Sequence, residues 1–115
     1  MQYMLLIYNQ TPEREPSEAE FGTIRAEYGA YTQDIRKRGA MVDGSALARP
    51  TSATTVRVRD GNRVVTDGPF AETKEWLGGY YVIEAASLDH ALEAAAMCPG
   101  AKYGSVEIRP LVDMS

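Results

Sequence analysis

The segment Asp67-Gly68-Pro69-Phe70-Ala71-Glu72-Thr73-Lys74-Glu75 gathers three carboxylates and one ammonium within nine residues. Carboxylates grouped in this way suit general acid–base work or a hard, oxygen-seeking cation. Asp67 and Glu72 are the candidate bases, and Lys74 is a candidate contact for an anionic ligand. The same spacing fits a purely structural role. Gly68 precedes a proline, whose ring crowds its predecessor into an extended or turn-like shape. The Asp67 carboxylate can accept backbone N–H groups and freeze that turn while the other acids stay in water. Spacing alone leaves both readings open.

Elsewhere the reactive side chains are sparse. The single histidine, His90, sits beside Asp89, so a histidine-based zinc site is not expected, and no metal or cofactor is assigned. Cys98 precedes Pro99 and reads as a small buried hydrophobe rather than a nucleophile, because no histidine is placed to activate it. Glu107 and Arg109 alternate onto one face of a strand, giving either a surface ion pair or an anion contact through Arg109. Phosphate loops, nucleophile elbows and paired-cysteine metal motifs are absent from the sequence.

The elements that position these groups are legible in the hydrophobic pattern. Residues 2–8 read as a strand apolar on both faces, followed by a polar loop from Asn9 to Pro16. Ser17 with Glu20 forms a capping box, and Phe21, Ile24, Tyr28, Tyr31 and Ile35 then recur as one helical stripe ended by Gly39. A strand over 40–47 carries a bend or bulge at Asp43-Gly44. Arms 54–59 and 63–66 flank Asp60-Gly61-Asn62 as a hairpin, with Val64 opposite Val56 or Val58 according to loop length. A strand over 79–85 is again apolar on both faces. Ser87 caps a helix with the stripe Leu88, Ala91, Leu92 and Ala95, which stops at Cys98-Pro99-Gly100, and a last strand spans 105–110. The order is β-α-β, an inserted hairpin, then β-α-β: an α+β, split βαβ or ferredoxin-like arrangement.

With 115 residues, 44% hydrophobic and 24% charged, the chain has room for a single domain, 1–115, and one core. A net charge of −4 argues against nucleic acid or an anionic membrane surface as partner. The one basic run, Arg36-Lys37-Arg38, reads as the cationic last turn of the first helix. Met4 to Tyr8 is too short for the apolar region of a signal peptide, and no stretch approaches the roughly 20 apolar residues of a membrane span. One cysteine excludes an internal disulfide framework, and a cytoplasmic location is expected.

Two helices cover only one face of a four-stranded sheet. Yet Met4, Leu6 and Tyr8 oppose Tyr3, Leu5 and Ile7, and Tyr80 and Val82 oppose Tyr81 and Ile83, with apolar side chains on both faces. Leaving such a side chain in water forfeits roughly 1.5–3 kcal/mol of burial. The expected remedy is a two-fold homodimer, sheet against sheet. The competing one is that the inserted hairpin folds back over the second face.

The motif DGPFAETKE at 67–75, followed by Leu77-Gly78-Gly79-Tyr80-Tyr81, resembles the hallmark of the DGPF branch of the YCII-related proteins. Further stretches agree, among them Met4–Tyr8, Thr54–Arg57, Leu88–Leu92, Cys98-Pro99 and Val106–Pro110, so the likeness covers nearly the whole chain. It implies a dimeric α/β-barrel assembly of ferredoxin-like domains. It also implies a functional link to an extracytoplasmic-function sigma factor, since such genes often lie together. The broader family is proposed to use a His/Asp dyad, and its two positions fall here on Tyr28 and Cys98, so the dyad is missing. The expectation is a cytoplasmic homodimer with a small-molecule pocket between sheet and helices. Tyr8, Tyr28, Tyr80 or Tyr81 would line it and the 67–75 segment would rim it. It either binds a ligand without catalysis or uses Asp67, Glu72 or Tyr28 as an acid–base group.

Overall fold

A computed structural model describes residues 1–10 and 16–115. In it, β1 (Gln2–Gln10), α1 (Glu18–Lys37), β2 (Met41–Ala46), β3 (Thr54–Arg59), β4 (Asn62–Asp67), β5 (Glu75–Glu84), α2 (Leu88–Met97), α3 (Pro99–Tyr103) and β6 (Ser105–Pro110) follow in order, with a short 3₁₀ turn at Pro50–Ser52. The main sheet has the order β2-β5-β1-β6 with every neighbouring pair antiparallel, while β3 and β4 form a separate two-stranded ribbon. This is the ferredoxin-like α+β arrangement that the sequence indicates. The expected polar loop falls largely on residues 11–15, outside the described residues.

Local chemistry sets the boundaries. Ser17 Oγ accepts from the Glu20 N–H at 3.1 Å while the Glu20 carboxylate reaches back to the Ser17 N–H, completing the capping box at the start of α1. Gly39 leaves the helix at φ +71°, in the left-handed region that suits glycine. Alternate residues of β1 (Tyr3, Leu5, Ile7) are buried against Tyr31 and Ile35 of α1, Ala91 and Ala95 of α2, and Cys98. The Tyr31 ring meets Tyr81 edge-on at 5.3 Å, and its hydroxyl donates to the Ala94 carbonyl of α2 at 2.6 Å.

Four expectations need correction. The expected α2 stripe is half right: Ala91 and Ala95 are buried, but Leu88 and Leu92 are 51% and 49% exposed, so only small side chains lie between this helix and the sheet. A short helix, α3, continues past Cys98-Pro99, with the proline in its first turn where no N–H is needed. Strand β5 begins at Glu75 rather than Gly79, so the tail of the carboxylate-rich motif is already sheet. In the hairpin, a two-residue Asp60-Gly61 turn with positive φ at both positions pairs Val64 with Arg57 and Val65 with Val56, not Val64 with a valine.

The hairpin also fails to fold back over the open sheet face. β3 and β4 pack on each other rather than on the main sheet, and Val56 and Val58 are 59% and 63% exposed. Its base is closed on itself: Gly68 N–H donates to the Ala53 carbonyl at 2.7 Å and Thr55 Oγ1 donates to the Gly68 carbonyl at 2.8 Å. A radius of gyration of 16.2 Å exceeds the roughly 13 Å expected at this length, as a projecting ribbon requires.

Candidate functional site

Helix α1 meets the sheet through its C-terminal half only. Tyr31 and Ile35 are buried, whereas Phe21, Ile24 and Tyr28, earlier on the same stripe, line an open cleft of about 850 Å³. The sheet supplies the floor, from Ile7 and Asn9 of β1, Gly44 to Ala46 of β2, and Trp76, Gly78, Gly79 and Tyr81 of β5. Between Ile7–Gly79 and Tyr8–Leu77 the register slips by one residue, leaving Gly78 as a bulge. The slip brings Trp76, paired with Asn9, onto the cleft side. The Tyr81 ring lies over Gly44, where a Cβ would come within 2.9 Å of its Cδ1.

Polar groups gather beside Tyr81. Its hydroxyl and Thr32 Oγ1 are 2.8 Å apart, and Arg36, one turn further along α1, also faces the cleft. Burial raises the Tyr81 pKa, an effect partly offset by the Thr32 hydrogen bond and the positive charge of Arg36. Tyr81 is therefore a neutral hydroxyl at physiological pH.

Deeper in, the Tyr28 hydroxyl and the Cys98 thiol are near enough to influence each other's ionisation. Burial pushes both groups above their ordinary pKa. For Cys98 the desolvation outweighs the neighbouring Gly100 N–H, Tyr28 and Ala101 N–H, which favour the thiolate. A phenol and a thiol thus stand side by side at the inner end of the cleft. Neither is a base at neutral pH.

The other candidate residues lie elsewhere. Asp67 and Glu72 are exposed and do not line the cleft. The turn after Asp67 is held by backbone groups of Gly68, at φ +100°, and by an Arg57 guanidinium contact to the Phe70 carbonyl at 3.5 Å. Glu72, Lys74 and Glu75 border a separate, shallower depression that meets the cleft at Gln10, whose side-chain amide donates to Glu75 Oε1 at 3.4 Å. Tyr8 and Tyr80 are on the opposite face of the sheet, level with Leu77 and Leu6 respectively. Arg109 is paired with Glu107 at 2.6 Å on that same face. His90 Nδ1 lies 2.8 Å from Ser87 Oγ at the α2 cap. Among the described residues no three His, Cys, Asp or Glu side chains cluster closely enough for a metal.

Sequence reasoning overlooked Thr32, Arg36, Arg49 and Trp76. The signal was present for two of them: Tyr28, Thr32 and Arg36 follow at steps of four, on one face of a helix. Trp76 reaches the cleft only through the Gly78 bulge, which no periodicity announces.

Taken together, fold and cleft define a ferredoxin-like α+β domain with an organic-sized cavity between its first helix and its sheet. The chain belongs to the YCII-related domain family, whose model matches residues 1–115. It is 38% identical over 114 residues, 96% of this chain and 92% of the relative, to an uncharacterized protein of Rhizobium meliloti (strain 1021). Among solved structures it is similar to the 5-chloro-2-hydroxyhydroquinone dehydrochlorinase of Burkholderia phenoliruptrix AC1100, solved with 2,5-dihydroxybenzoquinone. The TM-score is 0.54 and the identity 15%, over 97% of this chain and 94% of that one, a likeness of fold. No helix among the described residues is long and apolar enough to cross a membrane.

Proposed function

We propose that this chain is a non-catalytic binding protein for a small organic molecule, working as a homodimer. The supporting observation is the cleft itself, walled by Phe21, Ile24, Leu47 and Trp76 and carrying a few polar groups around Tyr81. Such a composition holds an apolar body and fixes its orientation. The neutral Tyr28–Cys98 pair argues for binding over acid–base chemistry. The enzyme reading with Asp67 or Glu72 as base draws less support, because both carboxylates stand outside the cleft. A regulatory role beside an extracytoplasmic-function sigma factor belongs to the same proposal, tested by co-purification of the two proteins with and without ligand.

Pairing follows from the uncovered sheet face. Met4, Leu6, Tyr8 and Tyr80 are all partly exposed there, and neither helix nor hairpin covers them. A second copy laid on this face removes them from water. Sedimentation at micromolar concentration should show a dimer that Leu6→Lys dissociates; a wild-type monomer would refute the pairing.

Ligand binding is tested by thermal-shift screening of compact aromatic and alicyclic compounds against wild type and Ala46→Phe, which places a bulky ring in the cleft. Compounds that raise Tm in the wild type alone support the reading. Equal shifts in both proteins, or none at all, count against it.

A further inference from the structure

We infer that the cleft is built for an anion: a small organic carboxylate whose charged end meets Arg36 beside Tyr81 and Thr32, with its apolar body against Phe21, Ile24 and Trp76. This rests on the ligand-binding reading above and adds the charge of the ligand.

The distribution of charge carries the inference. The chain has 16 acidic and 12 basic residues, a net −4, yet among the described residues Arg36 lines the cleft and no aspartate or glutamate does. In an acidic protein, a concave surface that presents an arginine among apolar groups attracts anions. Arg36 has the further property of being uncommitted. Its neighbour Arg38 pairs with Asp34 at 3.2 Å, but among the described residues no carboxylate lies within ion-pair distance of Arg36. Favourable interaction with the C-terminus of α1 accounts for a cation in this turn. It does not account for a cation that faces a largely apolar cleft.

The hydroxyls complete the recognition. Thr32 Oγ1 and Tyr81 Oη, 2.8 Å apart, own two protons between them, and their mutual hydrogen bond uses one. The second proton is available to an oxyanion that also accepts from the guanidinium. A carboxylate can take both, because it offers two acceptor oxygens. An amide of the same shape would set an NH₂ donor against one of these donors.

The test is calorimetric titration of 2-naphthoate and its neutral isostere 2-naphthamide into the full chain, wild type and Arg36→Met. Arg36 is exposed, and unchanged Tm of the variant confirms an intact fold. The expected result is naphthoate binding at least about tenfold tighter than naphthamide, as a charge-assisted hydrogen bond provides. That preference should collapse in Arg36→Met, recover in part in Arg36→Lys, and weaken with added salt. Equal affinity for the two compounds, or a preference that survives Arg36→Met, would overturn the charge assignment and leave the cleft standing as a ligand site. Binding of neither compound at millimolar concentration would overturn both.

Discussion

The Tyr28 hydroxyl comes near the buried Cys98 thiol because residue 100 has no side chain: a Cβ there would lie 2.8 Å from Tyr28 Oη and 2.6 Å from Ile7 Cγ2. This small arrangement links the cleft wall on α1 to the floor on β1 and to the start of α3. It joins two groups that keep their protons at neutral pH.

Gly100→Ala should therefore disturb the cleft as well as the fold. Forcing a methyl group between Tyr28 and Ile7 is expected to cost about 1–3 kcal/mol, measured by urea unfolding. Cleft ligands should bind more weakly, since Tyr28 must move.

Stability should fall in alkali. Burial holds Cys98, Tyr28, Tyr31 and Tyr81 above their ordinary pKa values of 9.0 and 10.0. The unfolded chain then loses these protons before the native one does, so stability is full below about pH 9 and declines as pH rises beyond it. Unfolding free energy followed from pH 8 to 11 should show this slope, and Tyr28→Phe should make it shallower. In the native state, Cys98 should resist thiol alkylation that proceeds at once in denaturant.

Tyr31→Phe keeps the ring that meets Tyr81 but removes the hydroxyl bonded to the Ala94 carbonyl of α2. The expected loss is about 1–2 kcal/mol, with ligand binding unchanged because Tyr31 does not line the cleft. Denaturant melts and a titration check the two halves separately.

In the 67–75 motif the backbone should matter more than the charges. Gly68→Ala forces φ +100° on a residue with a Cβ and should destabilise the hairpin base by about 1–2 kcal/mol. Asp67→Asn and Glu72→Gln should leave both fold and ligand affinity within error. Loss of ligand turnover or affinity in either carboxylate variant would return the motif to the site.

Much of this architecture could be read from residue order alone. Ser17 and Glu20 marked the start of α1, Gly39 its end, and the two-sided β1 pointed to a face the helices do not cover. Side-chain position within the elements was harder. Phe21, Ile24 and Tyr28 share a stripe with Tyr31 and Ile35, yet only the last two are buried, and Tyr28 packs on the core from its edge. Periodicity says which face of a helix is apolar, not how far along its length that face meets the sheet. Tyrosines drew attention to Tyr8 and Tyr80 as well as Tyr28 and Tyr81. Strand alternation sends the first pair to the opposite face, and the register that decides this depends on contacts distant in sequence. The carboxylate-rich motif was conspicuous in sequence, but its backbone serves a turn and the start of a strand.

The central claim, that a ligand occupies the space between α1 and the sheet, meets its most direct test at Trp76, the single tryptophan and a cleft residue. Protein labelled with 5-fluorotryptophan should give one ¹⁹F resonance, titrated with 2-naphthoate. A saturable shift with the calorimetric midpoint, absent in Ala46→Phe, is the predicted result. An unmoved resonance while calorimetry records binding would place the ligand elsewhere and contradict the claim.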